Sequence, residues 1–136
     1  MKRPYVLDAS ALLVLLYKDP GGLRVAQLLK EADQAEARVL VSVVNWGEVF
    51  YQCWYRQDEE SARKTMADLS RLPLQIIPVD LSQVLKAAEI KVLHKIPYVD
   101  SLAAALAALH GATLVTADRD FEKLGRQFPV LWLARR

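Results

Sequence analysis

Short apolar runs alternate with helix-periodic segments along the whole chain, and this alternation constrains the fold more than any other feature. Tyr5–Leu7 reads as a buried strand. Residues 38–44 are rich in β-branched side chains, residues 74–78 make a third strand shortened by Pro73 and Pro78, and residues 113–115 and 130–133 supply the last two. Between them the spacing predicts helices over 11–17, 23–35, 45–57 and 59–72, with Asp58 capping the last. Further helices follow from a cap at Asp80 or Ser82 to residue 94, from 98 or 99 to 110, and briefly over 121–125. Parallel strands need crossover connections, and the crossover helices shield both faces of the sheet. The expected class is therefore α/β, a central, mostly parallel sheet flanked by helices on both faces.

Four acids sit where such a sheet places its ligands. Asp8 follows the first strand directly, Glu48 lies in an aromatic segment after the second, Asp100 falls in the first turns of an alanine-rich helix, and Asp118 follows the fourth strand. Strand-to-helix junctions gather at the carboxyl ends of the strands, the ligand-binding edge of open α/β sheets. Taken singly, an Asp at a strand end caps the next helix or makes a turn. Taken together, convergent carboxylates raise one another's pKa unless a cation neutralises them. Magnesium suits such a site, preferring oxygen ligands and a substrate phosphate.

Other chemistries lack their residues. His94 and His110 have no partner motif for zinc, Gly21-Gly22 lacks the lysine pattern of a phosphate loop, and no G-x-S-x-G elbow occurs. A chain of 136 residues, 53% hydrophobic and 25% charged, is expected to form a single domain over 1–136 with a sizeable core. One cysteine, Cys53, forms no internal disulfide, so a cytosolic protein is expected. Lys2 and Arg3 precede an apolar run, but Asp8 interrupts it and no small-residue cleavage site follows. No apolar run reaches the ~20 residues of a membrane span. The net charge of +2 is uneven, because Arg119, Lys123, Arg126, Arg135 and Arg136 face only Asp120 and Glu122 in the last stretch. A basic end beside an acidic site suits a polyanion held next to a cation.

Four segments resemble, in order and spacing, those of a PIN-domain ribonuclease of the VapC toxin type: VLDASALL at 6–13, VSVVNWGEVFY at 41–51, YVDSLAAALA at 98–107 and LVTADRDF at 114–121. The resemblance spans essentially the whole chain. It implies a PIN-domain sheet of about five strands and makes Asp8, Glu48, Asp100 and Asp118 an acidic quartet for magnesium or manganese. Ser10 and Thr116 match hydroxyls that support the site, and Asp120 matches a further acid whose role, ligand or support, stays open. The implied activity is hydrolysis of RNA to 5′-phosphate and 3′-hydroxyl ends, with tRNA or rRNA as substrate. The implied partners are a second copy of the chain and a VapB-type antitoxin.

Two surface expectations follow. Arg119, Lys123 and Arg126 recur at i, i+4 and i+7 and are predicted to form one helix face gripping RNA. Trp46, Phe50, Trp54 and Tyr55 exceed what one buried stripe holds, and the antitoxin is expected on this helix. Rival readings are a housekeeping PIN nuclease of RNA maturation, a phosphate-accepting regulatory domain with Asp8 or Asp100 as acceptor, and a catalytically dead binding module.

Overall fold

The computed structural model describes residues 1–134; Arg135 and Arg136, part of the basic C-terminal excess, lie outside the described residues. The elements run β1 (Tyr5–Leu7), α1 (Ala9–Leu16), α2 (Gly22–Asp33), β2 (Val39–Ser42), α3 (Val43–Arg56), α4 (Glu59–Leu69), β3 (Gln75–Ile77), α5 (Leu81–His94), α6 (Tyr98–Leu109) and β4 (Thr113–Thr116). A 3₁₀ helix (Arg119–Leu124) and β5 (Val130–Trp132) complete the chain. The five strands form one sheet in the order β3-β2-β1-β4-β5, and every pairing is parallel.

This order explains the layers. The chain starts at the central β1, steps outward through β2 to β3, then returns across β1 to β4 and β5. Right-handed crossovers in opposite directions put their helices on opposite faces. Accordingly Leu7, Val39, Val41 and Val115 pack against α1 to α4, whereas Val6, Leu40 and Leu114 pack against α5 and α6. The direction reverses between β1 and β4, and the carboxyl ends of those strands form the crevice that such a switch point opens. Ala103, Ala104, Ala105 and Ala107 of α6 are fully buried, their small side chains letting the helix lie close over this part of the sheet.

Three local predictions are corrected. Helix α3 begins at Val43, not Asn45: the Ser42 hydroxyl accepts the Val44 N–H at 3.3 Å, so the cap lies three residues earlier and Asn45 falls inside the first turn. Asp8 caps α1 through the Ala11 N–H at 2.9 Å, which starts that helix at Ala9 rather than residue 11. The segment after β4 is a 3₁₀ helix ending at Leu124, and Gly125 turns the chain at φ 83°. Arg126 lies beyond that turn, so Arg119, Lys123 and Arg126 do not share an α-helical face. At three residues per turn, Arg119 and Lys123 point about 120° apart as well.

Among the described residues no single helix is long and apolar enough to cross a membrane. The α5–α6 pair is apolar enough together but bends by 116°, and α6 gives residues Ser101 to Ala107 to the core.

Candidate metal centre at the sheet edge

Asp8 stands where β1 ends, buried to 4% exposure, and its two carboxylate oxygens are held by three donors. Oδ1 accepts the Ser10 hydroxyl at 2.7 Å and the Ala11 N–H at 2.9 Å; Oδ2 accepts the Thr116 hydroxyl at 2.6 Å. Each hydroxyl owns one proton and receives another from the backbone: Ala117 N–H donates to Ser10 Oγ at 2.8 Å and Asp118 N–H to Thr116 Oγ1 at 2.9 Å. Both hydroxyl protons thus point at Asp8, which suits the ionised acid. The 3.2 Å approach of Ser10 Oγ to Thr116 Oγ1 is then a contact without a proton of its own. Burial nevertheless outweighs these donors and, with a smaller push from the Asp118 charge, raises the Asp8 carboxyl to about 6.

Asp100 faces this group from the first turn of α6. Burial and then the charges of Asp118, Asp8, Glu48 and Asp120 push its carboxyl up to about 7. The four acids named from sequence, and Asp120 with them, therefore share one electrostatic neighbourhood. Within it Asp100, Asp118 and Asp120 each offer an oxygen within 4.8 Å of the others. Asp8 and Glu48 stand outside that tightest group. Asp118 Oδ1 also accepts the Asp120 N–H at 2.9 Å, which folds the turn that brings both acids to α6.

Glu48 projects from α3, and its Oε1 accepts the Asn45 side-chain N–H at 3.2 Å. Asn45 is buried, and its Oδ1 has no partner. The reading of Asn45 as a helix opener missed this role; its place three residues before Glu48 on one helix was the available signal.

The donor set fits a hard divalent cation. It is all oxygen, anionic, and mutually repulsive without a positive charge. Asp100, Asp118 and Asp120 are the residues that would hold such an ion, with charge added by Asp8 and Glu48.

The other predicted residues lie on or just after the 3₁₀ helix and on α3. Arg119 sits over the Trp132 ring at 4.7 Å and approaches Glu122 at 3.5 Å, and the Lys123 carbonyl meets His94 Nδ1 at 3.2 Å. On α3, Trp46 and Phe50 are half-buried, while Trp54 and Tyr55 are exposed. Trp46, Gly47, Phe50, Arg63 and Met66 line an apolar cavity of about 240 Å³ between α3 and α4.

A parallel sheet wound on both faces, with acids gathered at its switch point, defines a class, and the PIN domain family model matches residues 5–127. The chain belongs to the PIN domain family. No curated protein matches its sequence. Among solved structures it is similar to VapBC2 from Rickettsia felis bound to a promoter DNA fragment, with 18% identity, a TM-score of 0.74, and 96% of this chain and 98% of that chain covered. DNA-bound VapBC from Salmonella typhimurium is similar at 15% identity and a TM-score of 0.75, over 96% and 98% of the two chains. So is Mycobacterium tuberculosis VapC20, described as a sarcin-ricin loop cleaving toxin, at 20% identity and a TM-score of 0.68, over 89% and 95%. At these identities the likeness is one of fold.

Proposed function

We propose that this chain is the toxin of a VapBC-type toxin–antitoxin pair, a magnesium- or manganese-dependent endoribonuclease restrained by a VapB-type antitoxin. The observation that carries the reading is the acid cluster at the switch point, where Asp100, Asp118 and Asp120 converge and Asp8 and Glu48 add their charge. These three acids would hold the ion, with Asp8 and Glu48 completing the anionic lining. Magnesium or manganese supplies Lewis-acid stabilisation of the phosphoryl group and lowers the pKa of the attacking water. Ser10 and Thr116 keep Asp8 oriented and ionised, and Asn45 orients Glu48. Water adds to phosphorus as the bond to the 3′ oxygen breaks, leaving a 5′-phosphate and a 3′-hydroxyl that takes up a proton.

A structured RNA, tRNA or rRNA, is the substrate class, consistent with the description of VapC20. The VapBC complexes among the similar structures support an antitoxin partner. The exposed aromatic face of α3 and its cavity are the docking surface. Leu81, Leu85 and Val92, exposed at i, i+4 and i+11 on α5, offer an apolar stripe for a homodimer. The cytosol, where such RNA resides, is the place of action.

The deciding experiment incubates purified protein with cellular RNA and manganese or magnesium, with and without EDTA. Asp8→Asn and Asp100→Asn should each lower cleavage by at least about 100-fold, whereas Asp80→Asn, at the cap of α5, should leave it intact. Cleavage that survives EDTA, or an Asp100→Asn variant that cuts at the wild-type rate, would defeat the proposal. A phosphate-accepting domain would bind the metal and leave RNA whole.

A further inference from the structure

A second cavity, of about 480 Å³, runs along the edge strand β5 and reaches the acid end of the sheet at Trp132. Phe121, Phe128, Val130 and Trp132 line it with apolar surface, and Glu122 and Arg126 contribute charge. Trp132 pairs in register with Thr116, the residue that holds Asp8 Oδ2. Paired residues of parallel strands project to one face, so Trp132 stands on the α6 side, about 4.8 Å of strand spacing outward from Thr116. Asp118 and Asp120 follow that same threonine. Between them Arg119 lays its guanidinium over the Trp132 ring at 4.7 Å, coupling the acidic turn to the aromatic wall.

Trp132 packs part of its surface against the α6-side core and leaves the rest to this cavity, with a cation beside its ring. The combination does match one ligand. A nucleotide has a π face for an aromatic wall, a phosphate for a guanidinium and base-edge N–H groups for a carboxylate. An acidic peptide would leave the aromatic wall unused, and an apolar small molecule would offer nothing to the Arg126 charge.

We propose that this cavity is a nucleobase subsite in which one base of single-stranded RNA, next to the scissile phosphate, stacks on Trp132 while Arg119 and Arg126 take neighbouring phosphates. The inference rests on the nuclease reading and adds to it how the strand is positioned. Lys123, which does not line the cavity, is outside this grip.

The test uses a short single-stranded oligoribonucleotide that the wild-type protein cleaves, and a set in which one nucleotide at a time is abasic. Trp132→Leu keeps apolar bulk and removes the ring; Trp132→Phe restores a ring. Trp132→Leu should raise KM by roughly tenfold, with the loss falling on KM rather than kcat, and Trp132→Phe should recover most of it. In the wild type, one abasic position beside the scissile bond should weaken binding by a similar factor, and in Trp132→Leu that position should no longer matter. An abasic penalty equal in both proteins, or no sensitive position in the wild type, overturns the subsite. The wild-type scan stands even if Trp132→Leu does not fold. Cleavage that persists without base sensitivity removes the subsite alone; structured cellular RNA and oligonucleotides both left whole under any metal remove the nuclease reading itself.

Discussion

At the scale of single residues, Asp8 and Asp100 show how placement overrides intrinsic chemistry. Both carboxyls start from an ordinary value of 3.8 and are raised, to about 6 and about 7, with burial as the largest cause in each. A folded-state pKa above the unfolded one means that the folded protein binds protons more tightly. The contribution is therefore favourable at low pH and is lost as pH rises from about 4 through about 7. In EDTA, denaturant midpoints should fall across that window, and Asp100→Asn should flatten the fall. A midpoint that rises with pH in the metal-free protein would show that these carboxyls are not raised in the folded state. Their surroundings separate Asp8 from Asp100: the Asp8 oxygens serve three donors, whereas Asp100 has neighbours that are themselves acids.

At the scale of elements, α3 presents different surfaces on its different sides. Its buried positions Val49 and Cys53 join the core, Asn45 and Glu48 face the acids, and Trp54 and Tyr55 point outward with Tyr55 81% exposed. Phe50 and Trp54 pack at 5.6 Å between ring centroids and Tyr51 and Tyr55 at 5.9 Å, so the aromatics brace one another on the surface. Tyr55→Ala should change folding stability by no more than about 0.5 kcal/mol. Paired with Trp54→Ala, it should weaken antitoxin binding by about 2 kcal/mol or more, as for an anchor in a desolvated contact. Undiminished binding by the folded double variant, measured calorimetrically, would remove this face from the interface. The 3₁₀ helix shows the opposite case, in which a periodic pattern did not survive. Gly125 and the tighter three-residue turn after Asp118 break the line of Arg119, Lys123 and Arg126, yet leave Arg119 and Arg126 beside one cavity wall or its ring.

For the molecule as a whole, the proposed metal site and the fold depend on the same residues. An ion that binds only the folded protein stabilises it by about 2.7 kcal/mol at one hundred times its Kd. Manganese should therefore raise the melting temperature of the wild type and do so much less for Asp100→Asn, whose ion-free form should be at least as stable as the parent. Equal shifts in both proteins would place the ion elsewhere. The α5 stripe makes a second prediction at this scale: Leu85→Lys should turn a dimer into a monomer in sedimentation at micromolar concentration, leaving the melting of the monomer near its parent's. A wild type that is monomeric throughout would discard the homodimer.

Hydrophobic periodicity is a local property, so the sequence by itself determined the alternation of strands and helices, the parallel sheet and the placing of acids after β1 and β4. Caps were readable for the same reason: Asp58 and Asp80 do cap α4 and α5 through the N–H groups of Ser61 and Gln83. Only the tertiary structure decided which acids come closest. Asp8 and Thr116, 108 positions apart, meet because the return crossover sets β4 beside β1. That adjacency engages the Asp8 oxygens with two hydroxyls and a backbone N–H, while Asp100, Asp118 and Asp120 form the tightest oxygen group. The register of β5 likewise carries Trp132 to the level of Thr116 and beneath Arg119, a neighbourhood made by strand pairing and absent from any local pattern.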